Sequence, residues 1–235
     1  MNNLFTFGCS FSENFQPYND KTNSNPQSRY IFDILNGVVP DGWTDILAKK
    51  LKCNQKNYSI GGDNNYGIFS QICEYCNQFS ENDIVIIEWT NVHRFRWPNK
   101  ENKWGSRLPG FFNDLDGISK NTYEEILVNR SHELWYNEIY QYEKIIDRLC
   151  TLSKSNIFYW SFDPNLIYTL PNEKKLQKKY ILSDVIKNDM YTLIKDNGGK
   201  CINEESEGKI NDGHLGKTGH EVMGNLFYDY IVKNI

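Results

Sequence analysis

The chain has no apolar run long enough to cross a bilayer, which takes about 20 predominantly apolar residues in succession. Its mean hydropathy is −0.63 over 235 residues. The opening stretch, MNNLFTFGCSFS, has neither a cationic leader nor a long apolar segment, and so it differs from a secretory signal. We therefore expect no membrane span and a cytoplasmic location.

Clusters of basic residues are scarce as well. The formal net charge is −4 at pH 7, and the lysine doublets at 174–175 and 178–179 fit the solvated face of a helix. A nucleic-acid footprint needs clustered lysine and arginine on one surface. The composition therefore argues against a nucleic acid as partner.

The sequence also lacks the motifs of common cofactor sites. Cys73 and Cys76 have C-x-x-C spacing, but no second cysteine pair and no His-x-x-x-His follows them, so zinc or redox chemistry has little support. Phosphate-binding loops of the GxxxxGK[ST] and GxGxxG types are absent. We expect no metal and no organic cofactor. The six cysteines, taken as reduced thiols, agree with the cytoplasm.

The composition that is present suits an α/β domain. Hydrophobic residues make up 39% of the chain and aromatic residues 14%, which is enough for a sizeable core. Short apolar segments alternate with segments of helical periodicity, and DIVIIEW at 83–89 is the clearest strand. The predicted strands are 4–7, 55–60, 83–89, 156–162 and 201–202, and the predicted helices include 41–51, 63–79, 133–152 and 216–232. This alternation predicts a parallel sheet with helices on both faces.

Two long irregular stretches interrupt this rhythm. Residues 11–40 are rich in Asn, Ser and Pro, and residues 92–121 carry tryptophans, prolines and glycines. Loops of this length in a compact domain are usually functional or mobile. We predict one domain over 1–235, with insertions at 11–40 and 92–121. The aromatic residues of the second insertion suit either a lid or self-packing.

Polar residues follow the predicted strands where a parallel sheet places its ligand crevice, beyond the carboxyl ends of the strands. Ser10 follows the first strand, Gly62 the second and Asn91 the third, while His214 precedes the last helix. Each residue alone is an ordinary turn or loop residue. Together they predict one site at one edge of the sheet.

These residue types suit acyl transfer. A serine hydroxyl becomes a good nucleophile when imidazole takes its proton, and a carboxylate beside the imidazole sets its tautomer. Asp212 is the nearest such carboxylate to His214. The oxyanion of a tetrahedral intermediate needs hydrogen-bond donors. The expected donors are the backbone N–H of Ser10, the backbone N–H of Gly62 and the side-chain amide of Asn91.

Four segments, in order, resemble the motif blocks of the SGNH (GDSL-like) hydrolases. Phe7-Gly8-Cys9-Ser10-Phe11-Ser12 resembles the first, Asn57 to Asn65 (NYSIGGDNN) the second, Ile87 to Asn91 (IEWTN) the third, and Asp212-Gly213-His214 the last. The resemblance implies a flavodoxin-like three-layer α/β/α sandwich. It also implies an esterase or an O-acyltransferase in which Ser10, His214 and Asp212 are catalytic and Ser10, Gly62 and Asn91 form the oxyanion hole.

Two positions depart from the pattern of that family. Cys9 stands where the usual first block has aspartate. The usual last block places its acid three residues before the histidine, where this chain has Asn211, whereas Asp212 lies two before it. The sequence thus leaves open a triad with Asp212, a Ser-His dyad, or another carboxylate such as Glu207. Gly61 is an alternative to Gly62.

The expected substrate is a small-molecule acyl ester, with an acetylated or otherwise acylated sugar as one class. His93 and Arg94, just after Asn91, are candidates for binding an anionic part of a substrate. Two other functions remain open. One is a catalytically idle binding module of the same fold, and the other is a phosphate- or nucleotide-binding α/β protein. The sequence does not predict an oligomeric state.

Overall fold

A computed structural model describes residues 2–15, 26–91, 94–98, 104–107, 125, 132–163, 179–182 and 189–235, without the side chains of 95–98, 104–107 and 132. The strands are β1 (Asn3–Phe7), β2 (Asn54–Asn57), β3 (Ile84–Trp89), β4 (Phe95–Pro98), β5 (Trp104–Arg107) and β6 (Asn156–Ser161). The helices are α1 (Pro26–Arg29), which continues as a π-helical turn (Tyr30–Ile34), α2 (Trp43–Leu51), α3 (Asn65–Tyr75), which ends in a 3₁₀ turn (Cys76–Gln78), α4 (His132–Ser153), α5 (Met190–Asp196), α6 (Ile202–Glu205) and α7 (Lys217–Asn234).

The main sheet of the described chain has four parallel strands in the order β2-β1-β3-β6. All six residues of β3 are buried, as expected for a central strand covered on both faces. In this order the chain first builds outward from β1 to β2 and then crosses back to β3. Such a reversal opens a crevice beyond the carboxyl ends of β1 and β3. The strands β4 and β5 form a separate antiparallel hairpin.

Helices cover the sheet in two layers. α2 packs against α7 on one face, and α3 packs against α4 on the other. On the first face the indole of Trp43 contacts the rings of Trp160 and Phe227 edge-on, with centroids 5.7 and 5.0 Å away. The fold is therefore the expected three-layer α/β/α arrangement with a parallel sheet, and it is of the flavodoxin-like type.

A buried histidine accepts a backbone hydrogen bond at the start of α2. The backbone N–H of Trp43, in the first turn, donates to Nδ1 of His220 on α7 at 3.1 Å. His220 is 5% exposed. Burial lowers the pKa of His220 to about 3, with a smaller contribution from the charge of His214, so the ring is a neutral acceptor near pH 7. The carboxylate of Asp45 accepts the N–H of Gly42, so Gly42 is the N-cap and the helix predicted over 41–51 begins at Trp43.

The predicted fifth strand at 201–202 is wrong. Cys201 forms a single bridge to Leu215, and Ile202 begins the short helix α6. Glu204 favours the helix here because its carboxylate accepts the N–H of Cys201.

The stretch 11–40 is less irregular than predicted. It contains α1 and the π-helical turn that follows, and this turn buries Tyr30 and Ile31 in a small apolar cluster with Phe15, Ile202 and Ile210. Of the stretch 92–121, the described part is Arg94 and the paired strands β4 and β5. The aromatic side chains of this stretch, for which the sequence left a lid and self-packing open, lie outside the described residues.

Among the helices described above, none combines the length and the apolarity needed to cross a bilayer.

Candidate active site

The chain reverses at Ser10 immediately after β1. The backbone N–H groups of Ser12 and Glu13 both donate to the carbonyl of Cys9, each at 3.0 Å. This short helical turn brings the Ser10 side chain to the edge of the sheet, where it is partly exposed. Ser10 therefore sits beyond the carboxyl end of β1, as the strand-then-turn pattern predicts.

His214 lies on a loop that two elements hold in place. The carbonyl of His214 accepts the N–H of Ile202 at 2.9 Å, and the carbonyl of Asp212 accepts the N–H of Asn203 at 3.0 Å. Helix α6 thus anchors the loop through its first N–H groups, which have no partner within the helix. The loop then enters α7, where the first turn is capped by a carboxylate.

That cap comes from Glu205. Its Oε1 accepts the N–H of Thr218 at 2.8 Å, and its Oε2 accepts the N–H of Lys217 at 3.2 Å and the hydroxyl of Tyr30. A β carbon at position 216 would lie 2.5 Å from the Glu205 carboxyl carbon, so a larger residue there would displace the carboxylate from this cap. The cap fixes the chain two residues after His214.

The loop and the Ser10 turn meet. Nε2 of His214 lies 2.8 Å from Oγ of Ser10, and Nδ1 of His214 lies 2.6 Å from Oδ1 of Asp212. The His214 side chain is 32% exposed, whereas that of Asp212 is 9% exposed. The three side chains form one chain of hydrogen bonds with its hydroxyl end toward solvent.

An Asx turn explains how an acid two residues before the histidine reaches the ring. Oδ1 of Asp212 accepts the backbone N–H of His214 at 3.0 Å as well as Nδ1–H. Aspartate commonly bonds the backbone two residues ahead in this way. Burial alone would raise the pKa of Asp212, but hydrogen bonds from the His214 side chain and backbone outweigh it and lower that pKa.

This arrangement defines the proton positions. An ionised Asp212 accepts Nδ1–H, which leaves Nε2 of His214 as the acceptor for the Ser10 hydroxyl. The hydroxyl proton can therefore move to Nε2 when Oγ attacks an electrophile. The 2.8 Å separation is within the range for such a transfer.

The two adjacent glycines, Gly61 and Gly62, differ in the structural reason for glycine at each position. The N–H of Asp63 donates to the carbonyl of Ile60 at 3.1 Å, and Gly62 takes φ +81 in this turn, a conformation that suits glycine at the third position of a type II turn. A β carbon at 62 would have nothing within 4 Å. At Gly61, by contrast, a β carbon would collide with the Glu13 carboxylate, and the Gly61 N–H donates to that carboxylate.

The Gly61–Gly62 turn lies beside the Ser10 turn. Beyond β2, the N–H of Tyr58 donates to the carbonyl of Thr6, and the N–H of Ile60 donates to the carbonyl of Gly8, at 2.8 and 3.1 Å. These bonds continue the β1–β2 pairing to the point where both strands end. Because the Gly61 N–H is occupied, Gly62 is the better candidate for an oxyanion donor.

Asn91 follows β3 and is exposed. Its neighbour Thr90 is held by Asn65 at the start of α3, which accepts the Thr90 N–H at 2.8 Å and donates to the Thr90 carbonyl at 3.0 Å. Arg94 donates its backbone N–H to the Asn91 carbonyl and its Nη1 to the Asp63 carbonyl, both at 3.0 Å. Arg94 thus links the loops after β3 and β2. His93 lies outside the described residues.

A buried carboxyl group lies beneath the Ser10 turn. Oε2 of Glu88, on β3, accepts the N–H of Cys9 at 3.0 Å, and Oε1 accepts its thiol at 2.8 Å. Glu88 is 1% exposed, and burial raises its pKa. Burial and the neighbouring Glu88 raise the pKa of Cys9 to about 12. Cys9 therefore stays a neutral thiol that faces the interior, and Ser10 is the accessible nucleophile of this turn.

Aromatic rings line one side of the site. The Phe11 ring lies 4.9 Å from the His214 ring and 4.1 Å from that of Phe162, centroid to centroid. Both phenylalanines are partly exposed. They form an apolar wall next to the imidazole.

Sequence reasoning missed three contributors to this site. Glu88 left a signal, because it is the charged residue inside the apolar segment IVIIEW. Glu13 and Phe162 left none, since a glutamate in a polar loop and a phenylalanine after a strand are ordinary. In the described part of the chain, no group of three or more His, Cys, Asp or Glu side chains is arranged to hold a metal ion.

No family model and no curated protein sequence matches this chain. Among solved structures, protein YxiM from Bacillus subtilis matches with a TM-score of 0.52 and 11% identity, over 99% of this chain and 56% of that one. A member of the lipolytic protein G-D-S-L family from Veillonella parvula matches with a TM-score of 0.47 and 12% identity, over 99% of this chain and 100% of that one. This chain thus spans little more than half of the YxiM chain. The likeness to YxiM shows a shared fold.

Proposed function

We propose that this protein is a serine ester hydrolase or O-acyltransferase of the SGNH type. The observation that carries the proposal is the run of contacts from Asp212 through His214 to Ser10, at 2.6 and 2.8 Å. The run lies beyond the carboxyl ends of parallel strands, where ligands bind in such sheets. Ser10 is the nucleophile, His214 the general base and then the general acid, and Asp212 the residue that orients the ring.

The proposed reaction has two halves. The Ser10 Oγ forms a bond to the ester carbonyl carbon while its proton moves to Nε2 of His214. The tetrahedral intermediate then collapses, the C–O bond to the alcohol breaks, and the alcohol leaves with the proton from His214. Water, or a sugar hydroxyl, attacks the acyl-enzyme in the same way and regenerates Ser10. Water makes the protein an esterase, and a sugar hydroxyl makes it a transferase.

Charge on the intermediate needs donors near the carbonyl oxygen. We propose the N–H of Ser10, the N–H of Gly62 and the Asn91 amide for this role. The open space at Gly62 supports this choice, since a bare backbone lets a substrate approach closely. Losing one such donor typically costs about 3 kcal/mol of transition-state stabilisation.

The substrate we propose is a small-molecule acyl ester, with acylated sugars as the first class to screen. The rings of Phe11 and Phe162 support it, because sugar rings and aryl groups pack on aromatic faces. Arg94, with His93, remains our proposal for contact with an anionic part of the substrate. In this proposal residues 1–235 act as one domain in the cytoplasm, with no nucleic-acid partner.

Labelling with a fluorophosphonate probe tests the proposal. The probe phosphonylates a serine that a base activates, so wild type should be labelled at Ser10 and Ser10→Ala should not. Ser70→Ala, which removes a hydroxyl from α3, is the matched control and should be labelled like wild type. Labelling of Ser10→Ala to the wild-type level would remove the nucleophile assignment.

Turnover then separates the remaining alternatives. Wild type should hydrolyse p-nitrophenyl acetate, and a screen of acetylated sugars with and without acceptor sugars, read by mass spectrometry, distinguishes hydrolysis from transfer. A wild-type protein that binds labelled nucleotide but neither reacts with the probe nor hydrolyses the ester would be a nucleotide-binding protein. One that does none of these would be an idle binding module.

A further inference from the structure

Glu13 lies on the Ser10 turn and reaches across to the neighbouring glycine turn. Its backbone N–H donates to the Cys9 carbonyl at 3.0 Å, which places it one helical turn after the nucleophile. Its half-buried carboxylate accepts the N–H of Gly61. A β carbon at position 61 would collide with Oε2 and lie 3.3 Å from the carboxyl carbon. The carboxylate therefore packs directly on the bare Cα of Gly61.

This contact joins the two turns on which the proposed chemistry depends. Gly61 and Gly62 share one peptide plane, so an anchored Gly61 limits the direction in which the Gly62 N–H points. Gly62 itself has φ +81 and open space around it. A glycine pair of this kind has wide conformational freedom unless something external restrains it. Glu13 supplies such a restraint from the segment that carries Ser10.

We propose that Glu13 is a positioning residue that holds the Gly61–Gly62 turn so that the Gly62 N–H faces the carbonyl oxygen of the ester that Ser10 attacks. This inference rests on the function proposed above. Glu13 acts through the turn and does not touch the substrate. It explains why position 61 is glycine although its φ is not in the left-handed region.

The charge environment of Glu13 agrees with a restrained carboxylate. Burial raises its pKa, while the Gly61 N–H and the charge of His214 act in the opposite direction. Two roles therefore need to be separated, acceptance of the Gly61 N–H and an electrostatic effect on His214. Glutamine separates them, because its carbonyl oxygen accepts an N–H and carries no charge.

The first test compares Glu13→Ala and Glu13→Gln in the rate of fluorophosphonate labelling at Ser10 and in ester hydrolysis. The phosphoryl oxygen of the probe occupies the same hole as the oxyanion, so labelling reports on the Gly62 turn. We expect Glu13→Ala to lower the labelling rate and kcat about tenfold or more, with KM changed less than about twofold, and Glu13→Gln to stay within about threefold of wild type. A glutamine variant as slow as alanine would overturn the inference in favour of the charge.

The second test is a double-mutant cycle with Gly61→Ala. The added methyl group meets only the end of a flexible side chain, so the fold should tolerate it while the Glu13 carboxylate is displaced. We expect Gly61→Ala to lose as much activity as Glu13→Ala, and the double variant to lose no more than either. Losses that add would show that the two residues act independently and would overturn the proposal.

A readout without turnover completes the design. Amide hydrogen exchange at Gly61 should accelerate about tenfold or more in Glu13→Ala and stay near wild type in Glu13→Gln. Glu74→Ala, which removes an exposed carboxylate on α3, is the control and should change neither exchange nor labelling. A wild-type protein that the probe does not label would contradict both the proposed function and the positioning role of Glu13. Labelled wild type with equally labelled Glu13→Ala would overturn this inference alone.

Discussion

Nε2 of His214 lies 2.8 Å from Oγ of Ser10, although 204 residues separate the two in the sequence. The local structure around either residue does not by itself determine this distance. Ser10 is delivered by the end of β1, and His214 by a loop that α6 and α7 hold from both sides. The contact therefore depends on the assembled fold, and its consequences can be tested one group at a time.

We predict that Ser10→Ala and His214→Ala each lower kcat for p-nitrophenyl acetate by about a thousandfold or more, and that the double variant loses no more than the worse single one. Both residues serve one proton transfer, so removing either removes it. Steady-state kinetics at saturating substrate measure this. Losses that multiply would show that the two side chains do not act as a unit.

Asp212→Ala should be more harmful than Asp212→Asn. Oδ1 of Asp212 accepts both the backbone N–H and the Nδ1–H of His214. The amide oxygen of asparagine can accept the same two groups and keep the proton on Nδ1, whereas alanine leaves the ring without this acceptor. We expect kcat to fall about a hundredfold in Asp212→Ala and less in Asp212→Asn, with KM nearly constant.

The control for that comparison is Asp196→Asn at the exposed end of α5, which should retain wild-type kcat. Wild-type kcat in Asp212→Ala would instead indicate a Ser-His dyad or another carboxylate.

Glu205→Ala should destabilise the fold and disturb the His214 loop together. It removes the acceptor for two N–H groups in the first turn of α7 and for the Tyr30 hydroxyl, and loss of a cap costs about 1 to 2 kcal/mol. Urea denaturation measures the free energy of unfolding, and ester hydrolysis of the folded protein measures the loop. Glu221→Ala, one turn further along α7 and exposed, should leave both unchanged.

His220 makes stability depend on pH. Its folded pKa is about 3 against about 6.5 in the unfolded chain, so between these values the unfolded state binds the extra proton and stability falls as pH falls. This contribution is fully present above about pH 6.5. Between about pH 7 and about pH 5.5 it should lower the free energy of unfolding by about 1 kcal/mol.

His220→Asn isolates this effect, because the asparagine carbonyl can accept the Trp43 N–H without titrating. We expect urea midpoints of this variant to fall less between the two pH values than those of wild type. If the urea midpoints of the two proteins fell equally between the two pH values, His220 would not be the group that titrates.

The positions of several candidate residues in the fold were predictable because they follow local rules. The apolar segments at 84–89 and 156–161 marked strands, and parallel strands bring whatever follows them to one edge. Ser10, Gly62 and Asn91 therefore follow the same ends of the neighbouring strands β1, β2 and β3, and this position in the fold needed no long-range information. The fold class followed from the same alternation.

The remainder depended on contacts that no local pattern encodes. The reach of Asp212 to Nδ1 comes from an Asx turn, and the direction of that turn is set by the N–H groups of α6. The hydrogen bond from the Gly61 N–H to the Glu13 carboxylate joins two loops, and these two residues are 48 positions apart in the sequence. The prediction of a fifth strand was wrong because the carboxylate of Glu204 accepts the backbone N–H of Cys201. Each of these is a side-chain to backbone bond, for which hydrophobic periodicity carries no signal.

The sheet order has a consequence for biosynthesis. β1 is made first yet lies between β2 and β3, so its second hydrogen-bonding edge stays open until residues 84–89 have left the ribosome. An apolar strand with an open edge is a template for intermolecular pairing. A growing chain therefore exposes one edge of LFTF throughout the synthesis of residues 8–83.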